Sequence, residues 1–307
     1  MRPPAGARLH SLDAASAQTL IRPTEPAELD LATPGGVRAA LSAFGLRLRP
    51  SAGQHFLVSR RVLQRLLDAA EIGPHDRVLE IGAGIGTLTT ALARAGARVA
   101  AVEVDARFIP ILREATAHLD VQIIHADAMR LDLAALPFLP SKVVANLPYS
   151  VASPLLIRLL EAGIGQRLVV MVQDEVATRI AARPGGKTFG LLSVAVQAHA
   201  MPRIVVRVPR TVFFPPPEVR SAVVRLDVRE HLPLPKARMP VLMAVARAAF
   251  GQRRKMLRTA LQGIEGRRLP ASAVEALCAR AGIDPRRRGE TLSIEEFARL
   301  ALALDRE

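Results

Sequence analysis

Two spacings of apolar residues alternate along positions 60–175. Recurrence at three and four residues marks helices over 62–70, 87–94, 108–119 and 154–160. Between them lie short, mostly apolar runs at 77–81, 98–104, 121–125, 142–145 and 168–172, which read as strands. Strands apolar on both faces, in strict turn with helices, predict a parallel sheet covered on both sides. Two β-branched runs with no helix between them, 203–208 and 222–228, predict an antiparallel pair closing one sheet edge. A linker with Pro233, Pro235 and Pro240 follows. Beyond it the pattern is helical throughout: 241–250, 253–261, 271–281 and 294–304, the last capped by Ser293 with Glu296 three residues on. The expected organisation is an α/β domain over 37–230 and a small helical domain over 231–307. Residues 1–36, interrupted by Pro3, Pro4, Pro23, Pro26 and Pro34-Gly35-Gly36, read as a flexible N-terminal extension without the apolar stretch of a secretory signal.

Composition narrows the function classes. The 307 residues are 50% hydrophobic and 23% charged, enough apolar material for a large and a small core. No apolar run approaches the roughly 18–20 residues that cross a bilayer, so no membrane partner is expected. The lone Cys278 excludes a disulfide framework and every Cys-cluster metal site, and the seven scattered histidines make no metal-ligand pattern. A soluble, monomeric, cytoplasmic protein without a metal is the expectation. The net charge of +14 is unevenly spread, with +10 in 201–307 and +4 in 1–200. That asymmetry points to a polyanionic partner engaged by the C-terminal part, since each phosphate neutralised releases counterions.

The chemistry begins at Glu80-Ile81-Gly82-Ala83-Gly84-Ile85-Gly86, where the first sheet strand opens into a loop. Ligands of open α/β sheets bind at this strand end, and glycines let backbone approach them closely. A dinucleotide fingerprint would put its third glycine at 87, where Thr87 stands. GxGxG after an acid fits S-adenosylmethionine better, because that cofactor has no pyrophosphate to seat on the helix. About 20 residues on, Glu103 stands at the next strand end, where a carboxylate accepts from ribose hydroxyls. Asp127 follows the third strand, available to accept from an adenine amine.

The fourth strand runs into Asn146-Leu147-Pro148-Tyr149, which is similar to the tetrapeptide of methyltransferases acting on an exocyclic base nitrogen. Such a nitrogen is planar and a poor nucleophile. An Asn side-chain oxygen and a neighbouring carbonyl, accepting from its two N–H bonds, hold it in line and favour a pyramidal geometry. Pro148 stiffens the turn and leaves its carbonyl for that use, and Tyr149 stacks on the base. Tyr149 is the only tyrosine of a chain with no tryptophan and 3% aromatic residues. A second proline-stiffened segment, Phe213-Phe214-Pro215-Pro216-Pro217, offers Phe213 as the opposite face of a base sandwich.

With these residues in view, the chain resembles the rRNA adenine dimethyltransferase family from about 46 to 304. The family's GQ-N/H-FL motif stands at Gly53-Gln54-His55-Phe56-Leu57, its cofactor loop at 80–86, its FxPPPxVxS at 213–221 and its FxxRRKxLR at 250–258. His55 occupies a position where many members have Asn, and Phe189 one where Tyr is frequent. The resemblance implies a class I S-adenosylmethionine methyltransferase fold, a Rossmann-like sheet with a small C-terminal α-helical domain. It implies S-adenosylmethionine as donor and two adjacent adenosines near the 3′ end of 16S rRNA, within a 30S subunit or its precursor, as acceptors. Gln54, His55, Leu57, Glu80, Gly82, Gly84, Glu103, Asp127, Ala128 and Asn146 would then contact the cofactor. Asn146, Leu147, Pro148, Tyr149 and Phe213 would handle the base, and Arg253, Arg254, Lys255 and Arg258 would lie against rRNA phosphates. A 23S rRNA adenine dimethyltransferase and a non-catalytic RNA-binding assembly factor on the same fold are the alternatives. The 250–258 motif and Leu147 favour the first reading over the 23S enzyme; the intact cofactor residues weigh against a pure binder.

Overall fold

In the computed structural model, residues 30–48, 54–264 and 266–304 are described; residues 1–29 and Gly53 lie outside them. The first half runs α1 (Pro34–Ala43), β1 (Phe56–Leu57), α2 (Arg60–Ala70), β2 (Arg77–Ile81), α3 (Thr87–Arg94), β3 (Arg98–Glu103), α4 (Ile109–Ala115), β4 (Val121–His125), β5 (Lys142–Asn146) and α5 (Ala152–Ala162). It continues through β6 (Arg167–Gln173), α6 (Asp174–Ile180), α7 (Leu191–Gln197), β7 (Ala200–Val208), β8 (Phe213–Phe214) and β9 (Ser221–Val228). The last part contains α8 (Met239–Gly251), α9 (Leu257–Ala260), β10 (Gly263–Ile264), β11 (Arg267–Arg268), α10 (Ala271–Ala281) and α11 (Ile294–Leu304).

Seven strands form one sheet in the order β4-β3-β2-β5-β6-β9-β7. The first five are parallel, and β9 and β7 add an antiparallel edge, as the β-branched runs anticipate. The strand order reverses at β2, with β3 on one side of it and β5 on the other, which opens a crevice at the carboxyl ends of β2 and β5. Alternation along the strands feeds both faces. Leu79 and Val143 pack with Leu155 and Leu159 of α5, while Val78 and Val144 pack with Leu63 and Leu66 of α2. An α/β sheet covered on both faces, with a helical C-terminal part, is the expected architecture.

Three details differ from the sequence expectation. Residues 34–36, assigned to the extension, open a helix instead. Thr33 accepts from Gly36 N at 3.1 Å and Pro34 occupies the first turn, so the apparent breakers are start signals. The segment 253–261 is not one helix. The Leu257 and Arg258 N–H groups donate to the carbonyls of Arg287 and Pro285, and only the single turn of α9 remains. The boundary at 230/231 does not divide the core either. Phe189, Val194 and Ala198, which precede it, pack in one cluster with Leu242, Val245, Phe297 and Leu300. A helical unit of this size buries too little apolar surface alone, and it borrows the face of α7.

Candidate functional site

The crevice at the tips of β2, β3 and β5 is a cavity of about 470 Å³. Its floor is the glycine loop. Gly82 and Gly84 have φ of +76° and +58°, a region that L side chains rarely adopt. A Cβ on Gly84 would stand 3.1 Å from the Phe56 ring, and one on Gly82 would stand 3.5 Å from both Asn146 O and Pro148 Cδ. The loop therefore runs beside the tetrapeptide at the end of β5, with room for no more than one added carbon between them.

Carboxylates line the rest. Glu103 is 6% exposed; its Oε2 accepts from Gly84 N at 2.7 Å and its Oε1 from Asp105 N at 2.8 Å. Each oxygen keeps one lone pair for a bound hydroxyl. Burial pushes this carboxyl up, against the backbone N–H groups of Asp105, Gly84 and Val104 that favour its charge. Glu80 is buried, and burial pushes it up to about 8, with neighbouring Glu103 adding in the same direction. The Thr89 hydroxyl lies near enough to favour its charge but out of hydrogen-bond geometry, since Glu80 Oε2 and Thr89 Oγ1 both lack partners. The Arg107 hydrogen bond holds Asp105 below the usual carboxylate range, and Gln54 Nε2 donates to it at 2.9 Å. Gln54 Oε1 is buried without a partner. Exposed Asp127 reaches the cavity while its Oδ1 accepts from Met129 N at 2.9 Å.

At the mouth, Asn146 Nδ2 donates to His55 O at 3.4 Å, which leaves Oδ1 unengaged among the described residues. Pro148 O is not free: it accepts from Val151 N at 3.1 Å, and one lone pair remains. The Tyr149 hydroxyl lies 2.6 Å from Ser221 Oγ, and its ring stacks near His55 with centroids 6.1 Å apart. Burial raises the Tyr149 phenol, and the Ser221 bond opposes that. His55 Nδ1 in turn lies 2.8 Å from Pro215 O. A carbonyl only accepts, so this ring nitrogen carries the proton.

The family model described as ribosomal RNA adenine dimethylase matches residues 45–306. The chain belongs to the ribosomal RNA adenine dimethylase family. It is 43% identical over 284 residues to ribosomal RNA small subunit methyltransferase A of Geobacillus kaustophilus, covering 90% of this chain and 97% of the relative. Among solved structures it is similar to the 23S rRNA methyltransferase ErmE, with TM-score 0.64, 27% identity, and 81% and 99% of the two chains covered. A dimethyladenosine transferase from Plasmodium falciparum shares the fold at TM-score 0.68 and 24% identity, over 79% of this chain and 94% of that one.

Family membership makes the exceptions informative. Gln54, His55, Leu57, Glu80, Gly82, Gly84, Glu103, Asp127, Asn146, Leu147, Pro148 and Tyr149 all line the cavity. Two expected residues depart. Phe213 is 3% exposed, pairs with Leu57 in the β1–β8 ladder and packs in the core, so it offers no face to a base. Ala128 does not line the cavity; its carbonyl accepts from Arg158 Nη1 at 3.0 Å and its side chain packs toward the α5 side. Leu147 reaches the cavity floor, but it is 1% exposed and belongs to the core. In the basic segment, Arg253 turns inward to Glu290 Oε2 at 3.2 Å and to the carbonyls of Lys187 and Phe189. Arg258 stands 3.8 Å from Glu275 Oε1. Arg254 and Lys255 are exposed and make no ion pair among the described residues. Residues missed from the sequence are Asp105, Val104 and Phe108, which line the cavity beside Glu103. Val104 carries its own signal, an apolar residue 63% exposed at a strand tip. Among the described residues no group of His, Cys, Asp and Glu is arranged to hold a metal, and no helix is long and apolar enough to cross a membrane.

Proposed function

We propose that this chain transfers methyl groups to the N6 amines of two adjacent adenosines near the 3′ end of 16S rRNA, in the 30S subunit or its precursor. The observation that carries the reading is that Gly82, Gly84 and the Asn146–Tyr149 tetrapeptide line one cavity, with Gly82 so close that a single added carbon would meet Asn146 and Pro148: one cleft serves a donor-binding loop and a base-binding tetrapeptide. S-adenosylmethionine fits the cleft and, when bound, supplies an activated methyl group. The fit rests on the positive-φ glycine cradle, the partnerless Gln54 Oε1 and Glu80 Oε2, and a carboxylate lining suited to a cation. Glu103 would take the ribose hydroxyls, Asp127 the adenine amine, and Gln54, His55, Leu57, Glu80, Gly82 and Gly84 the remainder.

For the base, Asn146 Oδ1 and the remaining Pro148 lone pair accept from the target amine, and Tyr149 stacks on its ring. Arg254 and Lys255 make the phosphate contacts, with Arg258 beside them. The small-subunit substrate is supported over the 23S alternative by the higher identity to the small-subunit relative. A ribosomal substrate puts the protein in the cytoplasm.

Transfer of labelled methyl from S-adenosylmethionine is to be compared on undermethylated 30S particles, naked 16S rRNA, 23S rRNA and DNA. Label on N6-dimethyladenosine in the 30S or 16S substrate is expected. Preferential labelling of 23S rRNA would overturn the substrate, and no labelling anywhere would favour the non-catalytic assembly factor. Tyr149→Ala is expected to lower kcat by about 10- to 100-fold while RNA affinity changes little. Equal losses in both would remove the stacking role.

A further inference from the structure

The proline-rich segment does not place Phe213 against the cleft, yet both of its ends touch the site. Near one end, Pro215 O accepts from His55 Nδ1 at 2.8 Å; at the other, Ser221 Oγ lies 2.6 Å from the Tyr149 hydroxyl. We propose that Ser221 is a positioning residue, whose hydroxyl hangs the Tyr149 ring on the end of β9 in the orientation that receives the target base. The proposal rests on Tyr149 being the base-stacking ring.

Three observations support it. Ser221 is wholly buried, and a buried hydroxyl requires a partner; the Tyr149 phenol is its side-chain partner. Its backbone is held on two sides, in register with Gln173 of β6 and Val208 of β7, so the anchor cannot drift. Tyr149 itself sits in the turn before α5, which has no side-chain cap of its own. A ring on such a turn retains rotamer freedom unless its far end is tied, and a ring only loosely placed loses rate before it loses binding. The family motif ending in Ser221 thus acts here through a hydroxyl and a carbonyl, with its phenylalanine serving the core.

The chain supplies its own probe, because Tyr149 is its single tyrosine and there is no tryptophan. The experiment compares wild type, Ser221→Ala, Tyr149→Phe and the double variant by kcat, KM for RNA, cofactor affinity and, where Tyr149 remains, anisotropy decay of its fluorescence. Ser221→Ala is expected to lower kcat about tenfold, to leave RNA KM and cofactor affinity within about twofold, and to enlarge the fast depolarisation of Tyr149. Tyr149→Phe breaks the same bond without touching the buried serine, so it decides the matter if Ser221→Ala folds poorly; a similar loss is expected, and the double variant falls no further. Unchanged kcat and depolarisation in Ser221→Ala, or single losses that multiply in the double variant, would overturn the proposal. A wild type that methylates no rRNA would overturn the functional reading, while the anisotropy comparison would still decide whether Ser221 holds the ring.

Discussion

The Gly84 backbone N–H donates to Glu103 Oε2 at 2.7 Å, which makes the glycine loop and the carboxylate of the next strand one hydrogen-bonded unit. Gly84 has φ +58° and a Cβ there would stand 3.1 Å from Phe56, so Gly84→Ala strains the loop and displaces the donor that aims Glu103. The expected result is a stability loss of about 1–3 kcal/mol and a cofactor affinity reduced by more than the stability loss explains, read by calorimetry on folded protein. A variant that binds the cofactor as tightly as wild type would separate the loop from the site.

Glu80 makes stability depend on pH. The folded chain keeps this carboxyl protonated up to about 8, against the ordinary glutamate value of 4.5. The stability contributed by that proton is complete below about 4.5 and is lost as pH rises through about 8. Thermal melts are expected to show a decline across this window that Glu80→Gln flattens. Parallel profiles for the two proteins would show that Glu80 is ionised when folded.

Phe213 is expected to behave as a core residue. Phe213→Ala leaves a void between β8 and the α2 side of the sheet and costs about 3–5 kcal/mol, measured by denaturant unfolding. At a temperature where the variant is folded, its RNA KM should match wild type. Near-native stability with a collapsed kcat would restore the base-sandwich role.

The basic segment divides in two. Replacing Arg254 and Lys255 by Ala is expected to lower the slope of log affinity against log salt by about 1–2 with little change in melting temperature. Arg253→Ala is expected to do the reverse, because it severs the contacts to Glu290 and to the Lys187 and Phe189 carbonyls. A full loss of salt dependence from Arg253→Ala alone would place that side chain on RNA instead.

Much of this was open to reading from the chain alone. The alternation of helical and strand spacing specifies a parallel sheet because the periods 3.6 and 2 are local properties of the backbone. The glycine loop, Glu103, Asp127 and the Asn146 tetrapeptide were legible because a fixed strand-to-loop order carries them to the carboxyl end of one sheet. Side-chain direction is another matter. Phe213 and Phe214 are equally aromatic in sequence, and only their pairing with Leu57 and Phe56 turns the first inward. The inward turn of Arg253, the tie between Tyr149 and Ser221 and the shared core around Phe189 join residues tens of positions apart. Such contacts depend on how distant segments pack, and no local pattern of residues encodes which partner a side chain meets. The sequence thus determined the fold class, the cleft and its chemistry; the tertiary structure decided which rings and charges face that cleft and which are spent holding it together.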